Sequence, residues 1–159
     1  MKRRTFLQAL ASLPFAYSTV SQAHHTEGNK VEELKLSELE WRKRLTPEQF
    51  YILREEGTER SFTSPLNDEK RKGEYRCAGC DYLLFTSDMK YDSGTGWPSF
   101  FTVVEGHIGT STDFKLIYPR TEYHCARCGG HQGHVFNDGP KPTGERWCNN
   151  GLALNFVPT

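Results

Sequence analysis

The amino-acid sequence predicts an α+β or mainly-β domain in which short N-terminal helices pack on antiparallel sheets. Helical spacing of apolar residues is confined to Val31–Glu56. From Gly73 onward, short apolar and aromatic runs alternate with Gly, Asp and Pro, the texture of short strands joined by turns. Two Cys-x-x-Cys pairs then offer a staple between distant segments. A chain of 159 residues suffices for one domain with a core, but not comfortably for two. Hydrophobic residues make up 36% and mean hydropathy is −0.68, as expected for a folding, water-soluble chain.

Residues 1–23 read as a signal peptide. Lys2-Arg3-Arg4 is a basic start, Phe6 to Val20 is mostly apolar, and Ser21-Gln22-Ala23 places small residues three before and one before a cut. The apolar stretch is too short and too interrupted to span a bilayer stably. Arg3-Arg4-Thr5-Phe6-Leu7-Gln8 resembles the twin-arginine export signal, which implies a periplasmic mature protein with no membrane anchor after cleavage. A Sec-type signal and a retained amphipathic helix are the alternatives. A chain starting after Ala23 keeps 20 acidic residues against 17 basic ones, a net charge of −3, which gives no reason to expect a nucleic-acid partner. Residues 24–37 are read as a polar tether and 38–159 as the domain. His24-His25 are taken as solvated residues on that tether.

Within Val31–Glu56 the spacing predicts two helices. Leu36, Leu39 and Glu40 lie near helical spacing, continued by Trp41 and Leu45. Thr46-Pro47-Glu48-Gln49 is a second start, with Thr as cap, Pro at the first position and Gln three after the cap. Gly57 is the expected stop, and Ser61–Asn67 a loop. Strands are expected at Glu74–Arg76, Tyr82–Thr86, Phe100–Val103, Lys115–Pro119, Glu122–His124, His134–Phe136, Arg146–Cys148 and Leu152–Phe156.

Cys77-Ala78-Gly79-Cys80 and Cys125-Ala126-Arg127-Cys128-Gly129 form two knuckles separated by 44 residues. Four thiolates from two such pairs can enclose one Zn²⁺ tetrahedrally. All four positions would be filled by sulfur, so the ion is expected to be structural rather than catalytic. Gly79 and Gly129 are expected to permit the tight turns. Paired disulfides or redox-active CxxC units are the competing reading in an oxidising compartment.

Four ligands leave one cysteine of five, Cys148. On a strand, Arg146, Cys148 and Asn150 share a face. The arginine can favour a thiolate and the asparagine can hold a polar oxygen. His131 and His134, three apart, supply imidazoles for proton transfer. Nucleophile, cation and proton donor together suit an activated thiol, although spacing alone equally allows a buried inert cysteine.

These residues stand in a longer pattern. Glu40-Trp41-Arg42, Leu45-Thr46-Pro47-Glu48-Gln49, Gly57-Thr58-Glu59-Arg60, Asp92-Ser93-Gly94-Thr95-Gly96-Trp97-Pro98-Ser99-Phe100, His131-Gln132-Gly133-His134-Val135-Phe136, Asp138-Gly139-Pro140 and Gly144-Glu145-Arg146-Trp147-Cys148-Asn149-Asn150 join the first knuckle in fixed order. From about Trp41 to Phe156 the chain resembles the type B methionine sulfoxide reductases, which act on the R epimer of methionine sulfoxide. The resemblance implies two antiparallel sheets with flanking helices and a zinc held by Cys77, Cys80, Cys125 and Cys128. It implies that Cys148 attacks the sulfoxide sulfur and becomes a sulfenic acid. His134 with His131 would protonate the oxygen, Arg146 and Asn150 would support the thiolate and the transition state, and Trp97 would wall the methyl group.

Two departures follow. Many relatives carry a resolving cysteine where this chain has Thr95, so an external thioredoxin-like or small thiol is the expected reductant. Gln132 and Trp147 replace a usual leucine and tyrosine. The expected substrates are oxidised proteins or peptides, turned over by a monomer. A zinc-binding interaction module and a CxxC thiol–disulfide oxidoreductase are the rival readings.

Overall fold

A computed structural model of the chain describes residues 31–159. The expected signal peptide and His24-His25 lie outside the described residues. Among those described, no helix is long and apolar enough to cross a membrane.

The described residues begin with two short helices, α1 Glu38–Arg44 and α2 Pro47–Glu55. Each starts with a complete capping box: Ser37 with Glu40, then Thr46 with Gln49. Acidic residues in the first turn and basic residues in the last complement the dipole of α1. α2 buries Phe50, Ile52 and Leu53. Its stop differs from expectation. The left-handed residue is Glu56, with φ 54°, one before Gly57. Gly57 instead leaves room for the exposed Tyr51 ring, which a Cβ at 2.2 Å would displace. The segment before α1 is anchored at its end: Leu34 donates its N–H to Arg127 O at 2.7 Å, and Leu34 and Leu36 pack on the core.

Among the described residues nine strands follow: β1 Gly73–Cys77, β2 Leu83–Thr86, β3 Lys90–Tyr91, β4 Ser99–Phe100, β5 Ile108–Asp113, β6 Arg120–Cys125, β7 His131–Phe136, β8 Arg146–Asn149 and β9 Leu154–Pro158. They form a three-stranded sheet, β2-β1-β9, and a six-stranded one, β3-β4-β8-β7-β6-β5. Every pairing is antiparallel. The expected fold class therefore holds.

Aromatic side chains lock the sheets together. Phe85 of the smaller sheet stacks on Phe100 of the larger at 3.9 Å between centroids. Across the sheets Tyr75 meets Phe100 edge-on at 5.0 Å and Phe85 meets Tyr123 edge-on at 6.3 Å, while Tyr123 meets Trp147 edge-on at 5.1 Å within the larger sheet. Tyr75, Phe85, Phe100 and Tyr123 are fully buried. Such rings dominate core energetics through their area and add edge-to-face attraction.

One expected strand is absent. Lys115–Pro119 is an exposed loop joining β5 and β6, turned by Asp113, whose Oδ1 accepts the Lys115 N–H at 2.7 Å. The strand that exists there, β5, contains Gly109-Thr110-Ser111-Thr112 and shows no apolar alternation. It is an edge strand pairing with β6 alone, so little burial is demanded of its side chains. Phe101–Val103 lie outside β4, which is only two residues long.

Candidate active site and metal centre

Strand register assembles the site. Cys148 on β8 pairs with Ser99 on β4 to one side and with His134 on β7 to the other. His134 pairs with Glu122 on β6, and Glu122 with Ser111 on β5. Directly opposed residues share a face, so a polar row crosses five strands with the thiol within it. Close approach of β7 to β8 requires Gly133, where a Cβ would sit 1.9 Å from Cys148 O.

Cys148 opens into a cavity of about 120 Å³ lined also by Thr58, Trp97, Arg120, His134, Phe136 and Asn150. Trp97 is partly exposed there, and its indole N–H donates to Glu59 O at 3.1 Å, which fixes the ring. His134 presents Nε2 to Asp113 Oδ2 at 2.7 Å, and Arg120 donates to the same oxygen at 2.6 Å. Burial pushes the His134 pKa below its usual value against the pull of Asp113, which favours a neutral imidazole. Burial also pushes the Cys148 thiol up, while Arg146 and a hydrogen bond from Thr95 oppose it.

The remaining predicted residues stand behind this wall. Arg146 is held by Asp138 through two bonds, at 2.8 and 3.0 Å, and lies over the Phe136 ring at 4.2 Å. Asn150 lines the cavity, but both ends of its amide are engaged: Oδ1 accepts from Glu59 N at 3.0 Å and Nδ2 donates to Gln132 O at 3.0 Å. His131 is buried behind His134, with ring centroids 5.4 Å apart. Its Nδ1 meets Glu122 Oε1 at 2.7 Å, and its buried Nε2 has no partner.

The two knuckles converge at the ends of β1 and β6. The four Sγ atoms of Cys77, Cys80, Cys125 and Cys128 lie within 4.8 Å of one another, all buried. Cys77 and Cys128 approach to 3.7 Å, Cys80 and Cys125 to 3.5 Å. Tetrahedral thiolate coordination with bonds of about 2.3 Å separates sulfurs by about 3.8 Å, so the cluster fits a metal ion. Both of these approaches join one knuckle to the other. The turns are matched, with Asp81 N bonded to Cys77 O and Gly129 N to Cys125 O, both at 2.8 Å. The left-handed residues are Asp81 and Gly129, with φ 60° and 66°. Gly79, expected to serve this purpose, has ordinary φ and sits against the Trp41 ring.

Residues 45–158 match the family model described as the SelR domain. The chain belongs to this family, that of the type B methionine sulfoxide reductases. It is 54% identical over 123 residues to "Peptide methionine sulfoxide reductase MsrB" of Agrobacterium fabrum, covering 77% of this chain and 91% of that protein. It is 46% identical over 156 residues to "Peptide methionine sulfoxide reductase B1, chloroplastic" of Arabidopsis thaliana, covering 98% and 77%. The protein named MsrB in Methanosarcina barkeri is 52% identical over 121 residues, covering 76% and 85%.

Gln132 and Trp147 do not line the cavity. Gln132 is fully buried, and its Nε2 donates to Cys77 Sγ at 3.5 Å while its backbone oxygen holds Asn150. It thereby links the cysteine cluster to the active strand. Trp147 packs on Tyr123 and donates to Glu145 Oε2 at 3.1 Å. Sequence reasoning missed Asp113, Arg120 and Glu122 as parts of the site. Their positions come from cross-strand register, and no local motif marks them. Glu122 and Arg120 lie within or beside expected β-structure, and a search for charged residues alternating with apolar ones there would have found them.

Glu122 makes acid stability measurable. Burial opposes its charge, but hydrogen bonds from His124, His131 and Ser111 bring its pKa from 4.5 down to about 2. The unfolded carboxyl thus takes up its proton first as pH falls, so its stabilisation is full above pH 4.5 and lost towards pH 2. Glu122→Gln is expected to lower stability at pH 7 and to flatten the loss between pH 4.5 and 2. Urea unfolding at several pH values checks this, and an unchanged slope contradicts it.

Proposed function

We propose that this chain reduces protein- or peptide-bound methionine (R)-S-oxide to methionine with thiols as electron donor. The observation that carries the reading is the cavity in which Cys148, His134 and Trp97 meet. The Cys148 sulfur attacks the sulfoxide sulfur. His134, neutral and oriented by Asp113, takes the thiol proton and returns it to the sulfoxide oxygen. The protonated oxygen leaves the substrate sulfur as the S–O bond breaks, and water adds to the Cys148 sulfur. The S–S bond breaks with its electron pair going to the methionine sulfur, and methionine leaves, so that Cys148 is oxidised to a sulfenic acid as the sulfoxide is reduced. Arg146 favours the thiolate. Asn150, with its amide engaged, contributes by shaping the wall and fixing the Glu59–Trp97 segment. Trp97 forms the flat apolar side against which the methyl group rests. His131 stands behind His134 and keeps its ring in place. An external thiol condenses with the sulfenic acid, releasing water, and a second thiol resolves the mixed disulfide.

In this reading Cys77, Cys80, Cys125 and Cys128 hold one Zn²⁺, whose closed thiolate shell supplies structure and no chemistry. The basic start with Arg3-Arg4 and the small residues Ser21 and Ala23 before the expected cut support export to the periplasm by the twin-arginine route.

The R epimer is expected to be reduced and the S epimer left untouched in an epimer-resolved assay, with Cys148→Ser inactive; equal turnover of both epimers overturns the reading. Without donor, a single turnover should release about one methionine per chain and leave Cys148 reactive to a dimedone-type probe. An intramolecular disulfide formed with loss of metal would instead make a cluster cysteine the resolving thiol.

Metal analysis of folded protein is expected to return one zinc per chain. Structural zinc contributes about 10–16 kcal/mol of apparent binding free energy, so Cys77→Ser should lower the melting temperature or solubility far more than any chemical step. Active, folded protein with well under one zinc contradicts this assignment. For export, changing Arg3 and Arg4 to Lys should block translocation, and normal translocation would indicate the Sec route.

A further inference from the structure

The β5–β6 ladder ends on the pair Asp113 and Arg120, and residues 114–119 close the loop beyond it. Both ends of this loop belong to the active site. Asp113 Oδ2 holds His134, Arg120 donates to the same oxygen, and Arg120 lines the cavity with Cys148. Ile117, near the middle of the loop, is three residues from Arg120. Extended chain covers at most about 3.6 Å per residue, so its backbone stands within about 11 Å of the Arg120 backbone. The loop therefore rises from the rim of the cavity.

Its surface is apolar. Phe114, Leu116, Ile117 and Tyr118 are exposed, Ile117 completely. They are four of the nine large apolar side chains exposed among the described residues, gathered into five consecutive positions. The charges beside them are paired. Asp113 meets Arg120 and His134, and Lys115 Nζ meets Glu56 Oε2 at 2.6 Å, just past the end of α2. Lys115 also donates its N–H to Asp113 Oδ1, which ties the start of the loop to the strand. Apolar side chains scattered singly over a surface are ordinary, whereas a group of them at the mouth of a binding site marks an interaction surface.

The substrate itself supplies the occupant. A cavity of about 120 Å³ takes the side chain of a methionine sulfoxide, so the polypeptide that carries it has to leave across the rim. Methionine is a core-filling residue, and its oxidation to a polar sulfoxide disrupts the packing around it. The neighbours of an accessible methionine sulfoxide in a damaged protein are therefore core residues that have lost their cover. We propose that the 114–119 loop is a docking surface for the apolar residues that flank methionine sulfoxide in an unfolded polypeptide, with Phe114, Leu116, Ile117 and Tyr118 as the contact. The inference rests on Cys148 reducing peptide-bound R-sulfoxide and adds a preference among such peptides.

The test uses the purified, metal-loaded protein with saturating dithiothreitol as donor, so no reductase protein is present to occupy the loop. Three substrates are compared: blocked methionine (R)-sulfoxide, a peptide carrying it between leucine, valine and phenylalanine, and one carrying it between serine, glycine and glutamine. Terminal lysines keep both peptides soluble. The apolar peptide is expected to show a KM about tenfold below that of the polar one, from partial burial of a few apolar side chains. The double substitution Phe114→Ser with Ile117→Ser should abolish that difference. It should leave kcat and the turnover of blocked methionine sulfoxide unchanged, because the lost contacts are equal in the ground and transition states. Leucine at both positions should restore the preference. Equal KM values for the two peptides in the unsubstituted protein overturn the docking surface, with or without a folded variant, and so does a preference that survives the double substitution. Sedimentation velocity and flotation with phospholipid vesicles are expected to show neither a dimer nor membrane binding that depends on these residues; either one would assign the loop to a second copy or to a lipid surface and overturn the proposal. Reduction of blocked R-sulfoxide without peptide preference overturns the docking alone, whereas no reduction of any R-sulfoxide overturns the activity and the docking with it.

Discussion

Four buried sulfurs drawn from two sheets into a space 4.8 Å across are the constraint on which the rest of the structure depends. Cys77 ends β1 of the smaller sheet and Cys125 ends β6 of the larger, so the cluster ties the sheets at one edge of their aromatic interface. Deprotonated thiols at such separations repel unless a cation compensates them, which makes the convergence an argument for metal. The N-terminal helices close over it. Arg54 of α2 donates to Cys128 O at 2.9 Å, and its guanidinium lies 4.8 Å over the Trp41 ring of α1. Helices of seven and nine residues would not persist alone, and this contact gives them a surface to fold against.

The cluster also positions the chemistry, because β7 begins three residues after Cys128 and carries Gln132, Gly133 and His134 in succession. Gln132 touches the cluster with its side chain and Asn150 with its backbone oxygen. Gly133 lets β8 come close enough for Cys148 to stand beside His134. The nucleophile therefore sits on paired strands, where a shift of register would move it to the other face. Its polar neighbours are satisfied by one another: Ser111, His124 and His131 on Glu122, and Arg120 and His134 on Asp113. A satisfied buried network rigidifies a site where an incomplete one would be costly. The exceptions in this network are Arg120 Nε and His131 Nε2, both buried without a partner, the latter beside the ring that faces the cavity.

How much of this could be read beforehand depended on the range of the interaction concerned. Both capping boxes are local, and Thr46-Pro47-Glu48-Gln49 announces α2 without reference to anything distant. The CxxC knuckles are local as well, so their four cysteines could be grouped before their convergence was seen. Lys115–Pro119 looked like a strand because Leu116, Ile117 and Tyr118 are apolar, yet they are exposed in the β5–β6 loop. β5 was invisible because its Thr and Ser side chains reflect an edge with little to bury. The hydrogen bond from Gln132 to Cys77 spans 55 residues and has no sequence signature.

The sequence by itself determined the helix starts, the metal knuckles, the single surplus thiol and, through ordered motifs, the family. Each of these is set by residue type at short spacing, where backbone geometry leaves little choice. Only the tertiary structure decided that Asp113 orients His134, that Glu122 anchors His131, and that the Asn150 amide is spent on the backbone. Those relations run across strands whose pairing depends on where loops close and which faces the core can bury. They are long-range consequences of packing, and no local stretch of chain contains them.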